Sequence, residues 1–138
     1  MLKRALQAAL LVSVLVPLPL AGAVAKPRTT EIDRLLAAAD PDKDGTLDLA
    51  EAKAAAGALF DRLDKDKDGT VSAAGLQGRL SRKDLTAGDP DKDGTLTKDE
   101  FLAVVEARFK AANADADGTL DRKELGTSAG RALMRLLH

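Results

Sequence analysis

The sequence predicts an all-α domain, a compact array in which short helices join four acidic loops, and three observations predict it. The pattern Asp-x-Asp-x-Asp-Gly recurs at residues 40–45, 64–69 and 89–94, and a fourth copy at 113–118 differs only in its first side chain, Asn113. Between the copies, apolar residues recur at the helical period of 3.6 rather than alternating. The 138 residues include no cysteine, tryptophan or tyrosine and only three phenylalanines, Phe60, Phe101 and Phe109. Large apolar side chains supply most of the energy of burial, so only a thin helical core is expected. The same composition excludes whole classes of function. There can be no disulfide framework or thiolate metal site, and His138, the single histidine, permits neither a zinc finger nor a Cys/His catalytic pair.

The first segment reads as an address. Lys3 and Arg4 precede an apolar run from Ala5 to Val16, then Pro17 and Pro19, then two small-x-small cleavage patterns at 21–23 and 23–25. Residues 1–25 are expected to be a cleavable secretory signal peptide, with residues 26–138 forming the domain. An uncleaved anchor of about 20 residues is the alternative. Cleavage after Ala25 leaves 19 basic against 22 acidic residues, a charge of -3. The processed chain then has no basic patch for nucleic acid and no segment for a membrane.

In chain order, residues 31–39 place Ile32, Leu35, Leu36 and Ala39 on one helical face, with Thr29 or Thr30 as cap. The first loop follows. Residues 50–63, rich in alanine and carrying Leu59, Phe60 and Leu63, form the next helix, and 98–112, with Phe101, Leu102, Val104, Val105 and Phe109, its counterpart. Only residues 52–63 separate the first loop from the second, so a single helix of roughly 20 Å serves both and sets them at its opposite ends, unless it breaks at Gly57. Between the second and third loops, Gly75, Gly78 and the cap signal Ser81-x-x-Asp84 suggest two short helices with a break. Such a break pairs the second loop with the third and the first with the fourth; a straight middle would pair first with third. A last helix over 122–137 presents Leu125, Ala129, Ala132, Leu133, Leu136 and Leu137 on one broad face.

The loop spacing has a chemical reason. A hard divalent cation takes six to eight oxygens, and carboxylates at positions 1, 3 and 5 converge on one point when a glycine at position 6 turns the chain. Position 7 adds a backbone carbonyl, position 9 an oxygen often through water, and position 12 a glutamate that binds with both oxygens. The first loop offers Asp40, Asp42, Asp44, Thr46, Asp48 and Glu51. The third offers Asp89, Asp91, Asp93, Thr95, Thr97 and Glu100, and the fourth Asn113, Asp115, Asp117, Thr119, Asp121 and Glu124. Position 8 holds Leu47, Val71, Leu96 and Leu120, apolar residues that let two loops pair as a minimal β-bridge.

These loops resemble those of the EF-hand calcium-binding superfamily, and the layout is similar to its small exported bacterial members. The likeness covers four loops of twelve residues with their flanking helices. It implies calcium as the bound ion, three good sites and no catalytic residues. The second loop departs from the pattern. Asp64, Asp66, Asp68, Thr70 and Ser72 stand in place, but position 12 is Gly75. Without the bidentate glutamate this site is expected to be weak, empty or filled by magnesium, which keeps several waters. Filling the other three with calcium would take the processed chain from -3 to +3, a reversal large enough to change what it associates with. The function expected is an exported, non-enzymatic calcium binder, either a buffer or store or a protein that the ion stabilises. The alternative is a calcium-triggered adaptor that exposes the Leu133, Leu136 and Leu137 face to an unidentified protein partner.

Overall fold

The computed structural model describes residues 30–76 and 78–138, and the expected leader lies outside them. Among the described residues six helices alternate with four very short strands. They are α1 (Glu31–Ala39), β1 (Leu47–Asp48), α2 (Leu49–Leu63), β2 (Thr70–Ser72), α3 (Arg82–Gly88), β3 (Thr95–Thr97), α4 (Lys98–Ala112), β4 (Thr119–Leu120), α5 (Arg122–Leu125) and α6 (Ser128–Leu137).

Local chemistry sets the helix starts. Five of the six open with a capping box, in which a side-chain oxygen accepts the third helical amide and the residue there reaches back to the cap: Thr30 with Asp33, Asp48 with Glu51, Ser81 with Asp84, Thr97 with Glu100, and Asp121 with Glu124. Three of these boxes use the loops' own positions 9 and 12, so each of those loops ends by starting a helix.

The strands form two antiparallel ladders. Leu47 pairs with Leu120 and Asp48 with Thr119, while Thr70, Val71 and Ser72 face Thr97, Leu96 and Thr95. The first loop thus pairs with the fourth and the second with the third, as the broken middle requires. Helix α2 runs unbroken through Gly57, which packs against the Lys98 stem. It spans about 22 Å at 1.5 Å per residue, and α4 has the same length. With the loops paired this way, α2 and α4 must run antiparallel. The charged pairs agree, with Lys53 bonding Glu106 at 2.6 Å and Lys98 bonding Asp61 at 2.8 Å. Between them lie Phe60 and Phe101, ring centroids 5.7 Å apart and both essentially inaccessible. Phe109, Val105, the ladder residues Leu47, Val71, Leu96 and Leu120, and the leucines of α1 and α6 complete one buried cluster.

Two helical expectations need correction. Residues 73–76 and 78–79 form turns, with Leu76 N–H donating to Ser72 and Ala73 carbonyls, rather than a first short helix. Gly75 weakens a helix at its start and Gly78 has φ +78, outside the helical region, so the chain turns here. The terminal helix is also two helices. It stops at Gly126, and Thr127 caps a new one by accepting the Gly130 amide at 3.1 Å while donating to the Glu124 carbonyl at 2.6 Å. This turn folds α6 back onto α5 and α4. Leu133, Leu136 and Leu137, the face assigned to a partner in the adaptor reading, are buried in the core.

Candidate metal centres

All four loops share one backbone turn. Position 6 is Gly45, Gly69, Gly94 or Gly118, with φ between +83 and +97. Position 4 is also left-handed, φ near +59, although its occupants are Lys43, Lys67, Lys92 and Ala116. Sequence reasoning assigned the turn to glycine alone. A left-handed lysine has no signature, because the loop's hydrogen bonds impose the conformation rather than the side chain.

Those bonds hold the position-1 carboxylate in place. Asp40 accepts from the amides of Lys43 at 2.6 Å and Gly45 at 2.9 Å, Asp64 from Asp68 at 3.2 Å and Gly69 at 3.0 Å, and Asp89 from Asp93 at 3.2 Å and Gly94 at 3.0 Å. At position 5, Asp44, Asp68, Asp93 and Asp117 each accept the amide and hydroxyl of the threonine at position 7. At position 9, the side chains of Asp48, Thr97 and Asp121 accept the amide of the position-12 residue, so the expected outer ligands also serve as helix caps.

Loops one and three bring the acids together in one way. One oxygen each from Asp40, Asp42 and Glu51 lies within 4.8 Å of the other two, and Asp89, Asp91 and Glu100 repeat the arrangement. Asp44 and Asp93 stand outside these triplets. In loop two the triplet is Asp64, Asp66 and Asp68, from positions 1, 3 and 5 alone. Gly75 and Lys65 there help line a cleft of about 280 Å³.

Crowding has an electrostatic consequence. Asp42 and Asp91 are raised above the usual carboxylate range, first because each shares a hydrogen bond with its position-1 neighbour. For Asp40 and Asp89 burial acts upward, but the amide of Gly45 or Gly94, the shared bond and further amides outweigh it, so both lie low. Burial raises Glu51 against the pull of the Asp48 amide. Two carboxylates held this close repel each other, and a cation between them would relieve that repulsion.

Loop four is built differently. Its glutamate, 8% exposed, accepts from the Ala114 amide at 2.9 Å and the Asp121 amide at 3.2 Å, and joins no acid triplet. Loops one and three lack the first of these bonds because position 2 is Pro41 or Pro90, and proline has no N–H. Asn113 Oδ1 is buried with no hydrogen-bond partner. An unsatisfied buried oxygen is costly, and a bound cation would satisfy it. The sequence carries this difference at position 2, proline in loops one and three and alanine in loop four, which lies outside the ligand positions. The donor sets are all oxygen, and they fit a hard cation in each case.

Comparison with known proteins agrees. Residues 57–74, ending in loop two, match the family model described as EF hand, and residues 85–108, around loop three, match the one described as EF-hand domain pair. Both segments are EF hands. A curated relative, lanmodulin of Methylorubrum extorquens, is 56% identical over 80 residues, which is 57% of this chain and 56% of lanmodulin. The match thus spans little more than half of that relative's length. The match to residues 57–74 stops one position before Gly75, so it covers the helix and turn of loop two and not its twelfth position.

Proposed function

We propose that this EF-hand protein is exported and holds calcium in loops one, three and four, as a buffer or as a domain that the ion stabilises, without catalysis. The observation that carries the reading is the pair of triplets Asp40, Asp42, Glu51 and Asp89, Asp91, Glu100, each spanning loop positions 1, 3 and 12. A cation binding only the folded chain adds about 2.7 kcal/mol per site at a free concentration a hundred times Kd. That stabilisation complements a core with three aromatic rings. Burial of Leu133, Leu136 and Leu137 favours the buffer over the adaptor. No described helix is long and apolar enough to cross a membrane, and export rests on the leader pattern alone.

A second reading concerns the ion. The relative's name is that of a lanthanide binder, and a trivalent ion gains more than calcium from crowded carboxylates, because attraction grows with charge. Calorimetric titration with calcium, magnesium and lanthanum distinguishes these readings. Three calcium sites, falling to two in Glu51→Gln, support the proposal. Heat with lanthanum but none with calcium moves the function to the trivalent ion, and no heat with any of the three refutes metal binding. A hydrophobic dye that binds more strongly after calcium loading would favour the adaptor.

A further inference from the structure

The ladders pair loop one with four and loop two with three, so loops three and four share no strand contact. A different connection joins them, through Arg108 on α4. Its guanidinium donates to Asp84 Oδ2 on α3 at 2.6 Å and to the Ala132 carbonyl on α6 at 2.7 Å, and its side chain is only 16% exposed. On one side, Asp84 lies in the capping box of α3, and α3 ends at Asp89, the first ligand position of loop three. No residue of this short helix is fully buried; Leu85 packs partly against the core, Gly88 lies close to Val104 of α4, and the Arg108 bond adds a polar hold at its start. On the other side, α6 touches loop four directly. A Cβ at Gly130 would stand 2.2 Å from the Glu124 carbonyl oxygen, which shows how closely α6 lies on the backbone of the position-12 residue.

A continuous path therefore runs from Asp89 through α3 and Asp84 to Arg108, then through Ala132 and Gly130 to Glu124. We propose that Arg108 is a positioning residue that couples ion binding at loop three to ion binding at loop four; this rests on the metal-binding function proposed above. The guanidinium suits the role because it is planar and always charged, and it can hold two acceptors on different helices at once. If the entering helix of loop three shifts when the loop fills, the tie transmits the shift to the exit side of loop four.

The test is a double-mutant cycle on the full chain, titrated with calcium and followed by the NMR amide signals of Gly45, Gly94 and Gly118, one per loop. With Arg108 present, Glu100→Gln, which disables loop three, is expected to shift the Gly118 midpoint at least about fivefold, the lower end of ordinary coupling between sites. In Arg108→Met the same substitution should shift it less than twofold, with the Gly45 midpoint unmoved. If Arg108→Met does not fold, Asp84→Asn cuts the α3 arm alone and is read in the same way. Equal Gly118 shifts in both backgrounds, or no shift with Arg108 present, would overturn the coupling while leaving metal binding intact. Silence of all three glycines would refute the metal-binding function itself, and the coupling with it.

Discussion

Replacing Gly130 with alanine sets two physical effects against each other. Helix propensity favours alanine over glycine inside a helix by roughly 0.5–1 kcal/mol. The packing opposes it. The new methyl would meet Glu124 O at 2.2 Å, Leu125 Cα at 2.5 Å and Leu125 C at 2.7 Å, all of them backbone atoms. Ordinary contact lies near 3.4 Å or beyond, so α6 must withdraw by about 1 Å. Leu133 and Leu136 on the same helix are fully buried, and the withdrawal loosens both. Overpacking of this kind costs about 1–3 kcal/mol, so the expected net loss after the propensity gain is about 1–2 kcal/mol. The assay is urea unfolding in chelator, read by circular dichroism, with Gly126→Ala as control. There the nearest atoms are 3.3 Å away and the backbone is right-handed helical, so the change should stay within about 0.5 kcal/mol. A Gly130→Ala protein as stable as the parent, or more so, would show that α6 does not lie on α5 as described.

Gly75→Glu should give loop two its missing ligand and add one calcorimetrically visible calcium site, although Val71 Cγ1, 3.0 Å from the new Cβ, has to move aside; an unchanged site count would show that the loop is limited by something other than position 12. Lys110 and then Lys53 hold Glu106 down to about 2 from its ordinary 4.5. A carboxylate lowered in this way adds stability that is present above its unfolded value and lost as pH falls toward its folded one. Glu106→Gln should therefore flatten the acid-induced loss of stability between about pH 4.5 and 2 in chelator, and an unaltered acid profile would argue against these ion pairs in solution.

Much of the architecture is legible in the chain because it depends on near neighbours. A capping box needs residues three apart, a loop needs its donors within twelve, and the buried stripe of a helix follows its own period. Hence α1 and α4 begin and end where the periodicity and caps place them, and position 8 supplies the ladder residues. The 122–137 segment misleads because its apolar period continues past Gly126, while Thr127 stops the helix with a local bond that competes with it.

What the linear sequence determines about this protein is the candidate donor set, four loops of closely spaced oxygen-bearing side chains with one copy lacking its glutamate. The assembled chain decides how those loops relate. Leu47 faces Leu120 across 73 positions, Arg108 meets Asp84 and α6 at once, and Gly130 is required because another helix's backbone lies against it. Contacts between distant residues leave no periodic trace, since each depends on where several elements pack together, and that is a property of the whole core.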